Sequence, residues 1–330
     1  MGLHRSSRIA GLGRYVPRTV LTNGDLERMV DTTDEWITVR TGIRERRVAS
    51  PEEATSDLAL EAAREALEQA EVDPADLDLI LVGTASPDMI FPATACLVQE
   101  RLGAKRAGAV DVSVACSSFV YALGLAHGQI TAGLAERVLV IGADTLSRIT
   151  NWSDRTTCVL FGDSAGAAVV VPSDGSRGLL SFWLGADGGG GSLLSLPAGG
   201  SRLPASWETV ERGQHYLHMN GPEVFKFASR ILPRAIEEAC QRAGVSVNEV
   251  DLFIPHQANL RIIQAAADRL GQPLEKFYVN VHKYGNTSSA SVPVALYEAV
   301  EEGRVKPGDL VVLVAFGAGL TWASCALCWG

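Results

Sequence analysis

The same order of segments occurs twice in this chain, and this internal repeat limits the folds that the chain can adopt. Residues 70–80 match residues 243–253, and residues 101–103 match residues 269–271. The matching segments lie about 170 residues apart in a chain of 330 residues, which is too far apart for a solenoid repeat. The repeat therefore predicts a duplicated α/β domain whose two halves pack together.

Hydrophobic periodicity predicts alternating strands and helices within each half. We expect strands over residues 9–13, 76–83, 138–142 and 165–171, and helices over residues 56–70 and 93–102. The insert over residues 185–213 has no counterpart in the first half and is rich in glycine and proline. It is either surface decoration or a functional segment that forms a wall of a pocket or a dimer contact.

Composition excludes several classes of protein. The net charge of -9 and the absence of a basic stripe argue against a nucleic-acid-binding protein. Six scattered cysteines, most of them inside apolar runs, are typical of reduced thiols in a cytosolic protein. Cys325 and Cys328 have no second pair for zinc, so we interpret them as core residues of a last strand. No group of side chains has metal-ligand spacing, and we predict that no metal is bound.

Membrane association is not predicted either. Arg5 and Arg8 are not followed by the apolar segment of a signal peptide. The longest apolar run, near residues 310–320, is too short to cross a bilayer. Residues 1–6 fit a loose myristoylation pattern, which we attribute to chance because nothing else suggests a membrane.

Cys116 lies where residues 110–123 change from a β-branched, alternating run to helical spacing. A thiol between a buried strand and a helix N-terminus meets unpaired N–H groups and the positive end of the helix dipole. This position favours the thiolate, which is the nucleophilic form. The alternative is a small buried cysteine that only packs, and the position alone does not decide between them.

Two further polar residues occupy positions of the second half where α/β proteins place their sites. His256 lies at a strand end, and Asn286 begins the helix that mirrors the helix after Cys116. In the repeat, residues 116–118 match residues 286–288, so Cys116 and Asn286 would face one another across a pseudo-twofold axis. Taken singly, His256 could be structural and Asn286 a helix cap. Papain-like proteases use the same three residue types, but their sequence context is missing around Cys116.

The chain as a whole resembles the β-ketoacyl-acyl-carrier-protein synthase III family. That resemblance implies a thiolase-like α/β fold with two pseudo-twofold-related halves in α-β-α-β-α layers. Residues 1–174 would form the half with the nucleophilic cysteine, and residues 175–330 the half with the histidine and asparagine. The motifs that carry it are Asp31-Thr32-Thr33-Asp34-Glu35-Trp36-Ile37, Arg40-Thr41-Gly42-Ile43, Ala115-Cys116, Phe161-Gly162-Asp163, Pro255-His256-Gln257-Ala258-Asn259-Leu260-Arg261, Tyr284-Gly285-Asn286-Thr287-Ser288 and Phe316-Gly317-Ala318-Gly319-Leu320-Thr321-Trp322.

The resemblance implies a decarboxylative Claisen condensation that initiates fatty-acid synthesis. Cys116 would take an acyl group from a short acyl-CoA, such as acetyl-, propionyl- or branched acyl-CoA. His256 and Asn286 would donate hydrogen bonds to the malonyl thioester as CO2 leaves. The N–H groups of Cys116 and Ala318 would form an oxyanion hole for the attack on the acyl-cysteine. No cofactor is implied, because acyl-CoA is a substrate.

Further residues are assigned to binding by the resemblance alone. It also implies a cytoplasmic homodimer, with malonyl-loaded acyl carrier protein as partner. The rival functions are a starter-unit condensing enzyme of secondary metabolism and a silent scaffold that binds acyl-CoA or carrier protein. The residues implied for CoA are Thr32, Trp36, Arg40 and Arg155; those for the acyl pocket are Phe91, from the partner subunit, and Phe316; those for the carrier are Lys226, Gln257, Ala258, Asn259, Leu260, Arg261 and Arg269.

Overall fold

Two large β-sheets, with helices between them and on their outer faces, form the core of the structure, and two small sheets have two strands each. The computed structural model describes residues 6–175 and 177–330, so most of the N-terminal myristoylation pattern lies outside the described residues. The strands are β1 (Ser6–Tyr15), β2 (Thr19–Thr22), β3 (Glu45–Val48), β4 (Leu79–Gly83), β5 (Gly108–Val112), β6 (Val138–Thr145), β7 (Asp163–Ser173), β8 (Gly178–Ala186), β9 (Leu194–Ser195), β10 (His218–Met219), β11 (Leu252–Pro255), β12 (Leu310–Gly317) and β13 (Thr321–Cys328). The helices are α1 (Asn23–Leu26), α2 (Asp34–Thr41), α3 (Thr55–Ala70), α4 (Thr94–Leu102), α5 (Ser118–Thr131), α6 (Arg155–Cys158), α7 (Trp207–Glu211), α8 (Gly221–Ala243), α9 (Leu260–Leu270), α10 (Val281–Tyr284) and α11 (Ser291–Glu301).

The second large sheet repeats the topology of the first. The first has the order β1-β7-β6-β4-β5, and the second has the order β8-β13-β12-β11. β4 runs parallel to β5 and β6, as β11 runs parallel to β12, and the remaining pairs are antiparallel. A single bridge between Phe253 and Phe277 takes the place that β5 has in the first sheet. The predicted division between residues 174 and 175 falls in the turn between β7 and β8.

Alternating side chains explain why five layers form. In β6, Leu139 and Ile141 pack with α3 and α4 on one face, whereas Val138 and Val140 pack with α5 and α11 on the other. In β12, Val312 and Val314 face α8 and α9 in the same manner. Because the inner strands are buried on both faces, helices must cover both sides of each sheet. The predicted α-β-α-β-α layering is therefore confirmed.

Most predicted elements are present, with two differences. The strand predicted over residues 76–83 begins only at Leu79, because Pro74–Asp76 form a 3-10 turn capped by the Asp73 side chain. The strand before Cys116 was expected to be buried, but it is partly exposed. It is β5, the edge strand of its sheet, and Val110 on it is 46% exposed.

The structure also corrects the register of the repeat. A 3-10 turn precedes α5 at Ala115–Ser117, and a second one precedes α11 at Ser288–Ala290. Ala115 and Ser288 begin these turns with the same left-handed φ of 49°. The counterpart of Cys116 is therefore Ser289 and not Asn286, which lies three residues earlier. Runs of small residues fit either register equally well, so only the backbone conformation reveals the correct one.

Candidate active site

Cys116 lies in the turn between β5 and α5 and is buried. Its position depends on close contact with β12 of the other half. A Cβ atom on Gly317 would lie 2.7 Å from the Cys116 backbone nitrogen, so only glycine allows this approach. The nucleophile predicted from the first half is thus held in place by the second half.

The thiol of Cys116 is not a resting thiolate, contrary to the sequence-based expectation. Burial raises its pKa to about 12, and the nearby negative charge of Asp144 acts in the same direction. A hydrogen bond from the Ser288 hydroxyl opposes this increase without cancelling it. A thiol with this pKa is protonated at neutral pH in the free site.

His256 follows β11 and is 2% exposed. Its Nδ1 lies 2.6 Å from the Ser291 hydroxyl oxygen, and its ring makes an edge contact with Phe316 at 5.3 Å between ring centres. Burial lowers the pKa of His256 to about 3, so the imidazole is neutral at physiological pH. Nε2 has no partner among the described residues and remains available to a ligand.

Asn286 is held by its backbone and by its own side-chain oxygen. Its N–H donates to Leu160 O at 2.8 Å, and its carbonyl oxygen accepts from Gly162 N–H at 3.0 Å. Its Oδ1 accepts from Ser288 N–H at 2.9 Å. Because the oxygen is occupied, the Nδ2 amide group is the part of Asn286 that can donate to a ligand.

Two cavities meet at Cys116. The entrance cavity, of about 200 Å³, brings together Cys116, His256, Asn286 and Phe316. The inner chamber, of about 120 Å³, lies beside Cys116 and is mainly apolar. Its other lining residues are Ala85, Ala115, Leu146, Ile149, Phe161, Leu194, Ser195, Leu196, Leu217, Ser288 and Ala318.

The insert over residues 185–213, whose role the sequence did not decide, supplies part of the pocket wall. Strand β9, within the insert, pairs antiparallel with β10, which follows the insert, and places Leu194 opposite Met219. Leu194 lines both cavities, and Met219 lines the entrance cavity. The insert thus contributes side chains to the walls of both cavities.

The backbone of Ala318 also faces the inner chamber. Its carbonyl oxygen accepts from the Thr321 hydroxyl at 3.1 Å. Its N–H makes no hydrogen bond to any part of the chain that is described. This donor is therefore free beside Cys116, as the proposed oxyanion hole requires.

The residues expected at CoA surround one indole ring. The guanidinium carbons of Arg40 and Arg155 each lie 5.1 Å from the centre of the Trp36 ring. Arg155 also donates to Asp31 O at 2.7 Å. The hydroxyl of Thr32 is buried and has no hydrogen-bond partner among the residues that the structure describes. A purine entering between Trp36 and Arg155 would therefore have to displace this guanidinium.

Of the two phenylalanines assigned to the acyl pocket, Phe316 lines one of the two cavities at Cys116 and Phe91 lines neither. Phe316 is buried beside His256 and lines the entrance cavity. Phe91 lies between β4 and α4, is 82% exposed, and lines neither of the two cavities at Cys116. A role of Phe91 in a partner subunit stays a prediction.

The residues assigned to the carrier protein divide into two groups. Lys226, Arg261 and Arg269 are exposed, and Arg261 stacks over Phe225 at 5.6 Å, near the entrance cavity. Arg230 lies one helical turn from Lys226 on α8 and is also exposed, although sequence reasoning did not identify it.

Gln257, by contrast, cannot contact a docked protein, and its assignment was wrong. Its side chain is buried, donating to Pro255 O and Tyr278 O and accepting from Asn280 and Val281 N–H. The three residues that follow it also make contacts within this chain. Ala258 lines the entrance cavity, Asn259 caps α9, and Leu260 packs against Gly42.

Sequence reasoning missed three polar residues around the site. Ser288 contacts the Cys116 thiol, and Ser291 contacts His256. Asp144, in the first half, is buried and accepts a hydrogen bond from Ser289 of the second half. The run of serines after Asn286 was the available signal, since small hydroxyl residues at a helix start commonly bind nearby polar groups. In the ranges 6–175 and 177–330, no group of three or more His, Cys, Asp or Glu side chains could hold a metal. No helix in these ranges is both long and apolar enough to cross a bilayer.

Comparison with known proteins identifies the family. The family model for the C-terminal part of 3-oxoacyl-[acyl-carrier-protein] synthase III matches residues 240–329. A second family model, for 3-oxoacyl-[acyl-carrier-protein] synthase III, matches residues 110–188. The chain is 60% identical to β-ketoacyl-[acyl-carrier-protein] synthase III of Symbiobacterium thermophilum over 98% of both chains.

Solved structures agree with this result. The Aquifex aeolicus 3-oxoacyl-[acyl-carrier-protein] synthase III has a TM-score of 0.90 and 49% identity, over 98% of this chain and 100% of its own. The priming β-ketosynthase of the R1128 polyketide pathway has a TM-score of 0.91 and 39% identity, over 100% of this chain and 98% of its own. The chain has the thiolase-like fold of these enzymes and belongs to the β-ketoacyl-acyl-carrier-protein synthase III family.

Proposed function

We propose that this acyltransferase condenses a short acyl-CoA with malonyl-acyl-carrier protein and so initiates fatty-acid synthesis. One observation carries the proposal: a thiol, a neutral imidazole and a carboxamide from three separate segments line the same cavity. Cys116 supplies the nucleophile, while His256 and Asn286 each keep a free N–H or ring nitrogen toward bound substrate. A silent scaffold would have no use for this arrangement.

In the first step, the sulfur of Cys116 attacks the thioester carbon of the acyl-CoA. The carbon–sulfur bond to CoA breaks, and the thiol proton leaves with CoA as its free thiol. The product is an acyl-cysteine with its chain in the inner chamber. Because burial raises the pKa of Cys116 to about 12, the sulfur is protonated in the free site at neutral pH.

In the second step, malonyl-carrier protein enters and loses CO2. The electron pair of the breaking carbon–carbon bond forms an enolate, whose oxygen accepts hydrogen bonds from His256 and Asn286. Oriented donors of this kind are worth roughly 2.7–4 kcal/mol each in other enzymes. The buried, uncharged imidazole suits this role, because a donor in a dry site is stronger than one in water.

The enolate carbon then attacks the acyl-cysteine. Negative charge develops on the acyl oxygen, where the N–H groups of Cys116 and Ala318 would receive it. The carbon–sulfur bond breaks, the cysteine sulfur regains a proton, and 3-oxoacyl-carrier protein is released. The free N–H of Ala318 supports this assignment.

Binding of the two substrates is assigned to two different groups of side chains. We assign the nucleotide part of CoA to Trp36, Arg40 and Arg155, with Thr32 nearby. We assign the acidic carrier to Lys226, Arg230, Arg261 and Arg269, which are exposed cations in a chain of net charge -9. Asp268 interrupts this surface beside Arg269.

The inner chamber accepts short aliphatic acyl groups. Its lining carries no charged side chain, so a dicarboxylic acyl group would lose its hydration there without compensation. Its volume of about 120 Å³ exceeds the need of an acetyl methyl group. The likeness to a priming β-ketosynthase supports a second candidate function, a starter-unit enzyme with a different primer.

We further propose that the enzyme acts as a cytoplasmic homodimer without a cofactor. β5 is an edge strand with unpaired backbone groups on one side, and the exposed apolar residues Val110 and Leu125 lie on β5 and the helix after it. Phe91, with Met89 and Ile90, forms a further exposed apolar group. Light scattering at micromolar concentration should give twice the mass of one chain.

Intact mass spectrometry tests the proposed chemistry. The protein is incubated with acetyl-CoA or isobutyryl-CoA, beside a Cys116→Ser control. We expect an acyl adduct on the wild type alone, which malonyl-carrier protein then removes with release of CO2. An adduct from isobutyryl-CoA only would change the primer and keep the mechanism. No adduct from any acyl-CoA would leave the scaffold as the better explanation.

A further inference from the structure

The hydroxyl of Ser291 is the only direct polar partner of the His256 ring within the described chain. Ser291 is the first residue of α11, and both side chains are buried. Its Oγ lies 2.6 Å from Nδ1 of His256 and accepts the Gln257 N–H at 3.3 Å. No other hydrogen bond of this hydroxyl occurs in residues 6–175 and 177–330.

These contacts decide which ring nitrogen carries the proton. Neutral imidazole has one N–H nitrogen and one bare nitrogen. If Nδ1 carried the proton, the Ser291 oxygen would accept from both Nδ1 and Gln257, and its own proton would have no acceptor. A buried hydroxyl proton without an acceptor is unfavourable. If Nδ1 is bare, the Ser291 proton goes to Nδ1, and every group is satisfied.

We propose that Ser291 is a positioning residue that holds His256 as the tautomer with its proton on Nε2. This inference rests on the proposed function, because the Nε2 proton is the one given to the malonyl carbonyl. The opposite tautomer would present a bare nitrogen to the enolate oxygen and repel it. Ser291 itself touches no substrate and acts through the imidazole.

The same segment sets both donors of the decarboxylation step. Ser288 N–H occupies the Asn286 oxygen, which leaves the amide group to donate. Ser291, three residues later, occupies Nδ1 of His256, which leaves Nε2 to donate. Residues 286–291 therefore orient two N–H groups toward one carbonyl oxygen.

Nitrogen-15 spectroscopy of labelled histidine tests the tautomer directly. The chemical shift separates an N–H nitrogen from a bare one, and a His256→Asn variant identifies the signals of His256. We expect Nε2 protonated and Nδ1 bare in the wild type. A protonated Nδ1 in the wild type would overturn the proposal, and this result does not depend on any variant being folded.

Kinetics of the separate steps test the consequence. With preformed acetyl-enzyme, Ser291→Ala should lower kcat for CO2 release about tenfold, the loss of roughly one hydrogen bond. KM for malonyl-carrier protein should not change, and Ser291→Cys should recover part of the rate. The matched control is Ser181→Ala, which removes another buried hydroxyl, bonded to Ala239 O at 2.7 Å.

The outcomes remain distinguishable. A Ser291→Ala variant with wild-type CO2 release and the wild-type tautomer would contradict the proposal. Absence of CO2 release from the wild type would instead contradict the proposed function, while the spectrum still reports the tautomer. An equal loss in Ser181→Ala and Ser291→Ala would show that Ser291 has only a structural role.

Discussion

Asp144 joins the two halves beneath the active site, and its replacement by asparagine should affect both stability and Cys116. The carboxylate is fully buried in β6. One oxygen accepts from the side chain of Thr84, from Ala85 N–H, and from both the N–H and the hydroxyl of Ser86. The other accepts from Ser289 N–H at 3.0 Å and from its hydroxyl at 2.6 Å.

The cost of Asp144→Asn follows from this geometry. The amide oxygen takes the place where four donors converge, and the new NH2 group faces Ser289. The Ser289 hydroxyl can accept from it and donate to Gly83 O, which is 2.8 Å away. The Ser289 N–H, however, loses its acceptor, which costs about 1–3 kcal/mol. Weaker neutral bonds at the other oxygen add to this loss, while easier burial of a neutral group offsets part of it. We expect the free energy of unfolding in urea to fall by about 2–4 kcal/mol.

The same substitution should activate the thiol. The charge of Asp144 acts with burial to raise the pKa of Cys116. Its removal should lower that pKa and move the pH profile of alkylation by iodoacetamide to lower pH. If the pKa falls by one, the thiolate fraction rises about tenfold, equivalent to about 1.36 kcal/mol.

Asp163→Asn is the matched control. Asp163 is also buried and accepts from Ala49 N–H and from Ser147, but it is not among the charges that act on Cys116. It should lose stability without changing the alkylation profile. A free energy of unfolding of Asp144→Asn within about 0.5 kcal/mol of the wild-type value would refute this prediction. An unchanged pH profile of alkylation would also refute it.

Three further results are expected. Gly317→Ala should slow acylation of Cys116 at least about tenfold, since its Cβ would lie 2.7 Å from Cys116 N; Gly128→Ala, in open space on α5, should instead gain about 0.5–1 kcal/mol in urea unfolding. The rate of decarboxylation should be constant from about pH 7 to 5, because the pKa of His256 is lowered to about 3. A decline of the rate centred near the ordinary pKa of histidine would contradict this. Burial raises the pKa of Glu298, but hydrogen bonds and nearby cations outweigh it, so the pKa lies below the usual 4.5. The ionised form therefore stabilises the fold above pH 4.5 and loses this effect on acidification; Glu298→Gln should flatten the dependence of urea unfolding on pH below that value, and an unchanged slope would argue against it.

The sequence by itself determined the duplicated α/β architecture and the three polar side chains that meet in the entrance cavity. A repeat of strand and helix periods in two halves constrains the topology, because buried inner strands need helices on both faces. Cys116, His256 and Asn286 were also predictable, since each lies at a strand end or helix start within a specific motif. The boundaries of β5 and its exposure were not, because an edge strand and a central strand carry similar apolar residues.

Only the tertiary structure decided the register of the repeat, the protonation of the site and the role of Gln257. The match of Cys116 to Ser289 depends on two turns with the same backbone angle, which short runs of small residues do not reveal. The protonated thiol and the neutral imidazole follow from burial by both halves, a property of the folded assembly of segments. Gln257 belongs to a binding motif in sequence but satisfies the backbone of residues 255–281 in space. Local sequence determines which chemistry a side chain can perform. Its exposure to solvent and its hydrogen-bond partners are set by segments far away in the chain.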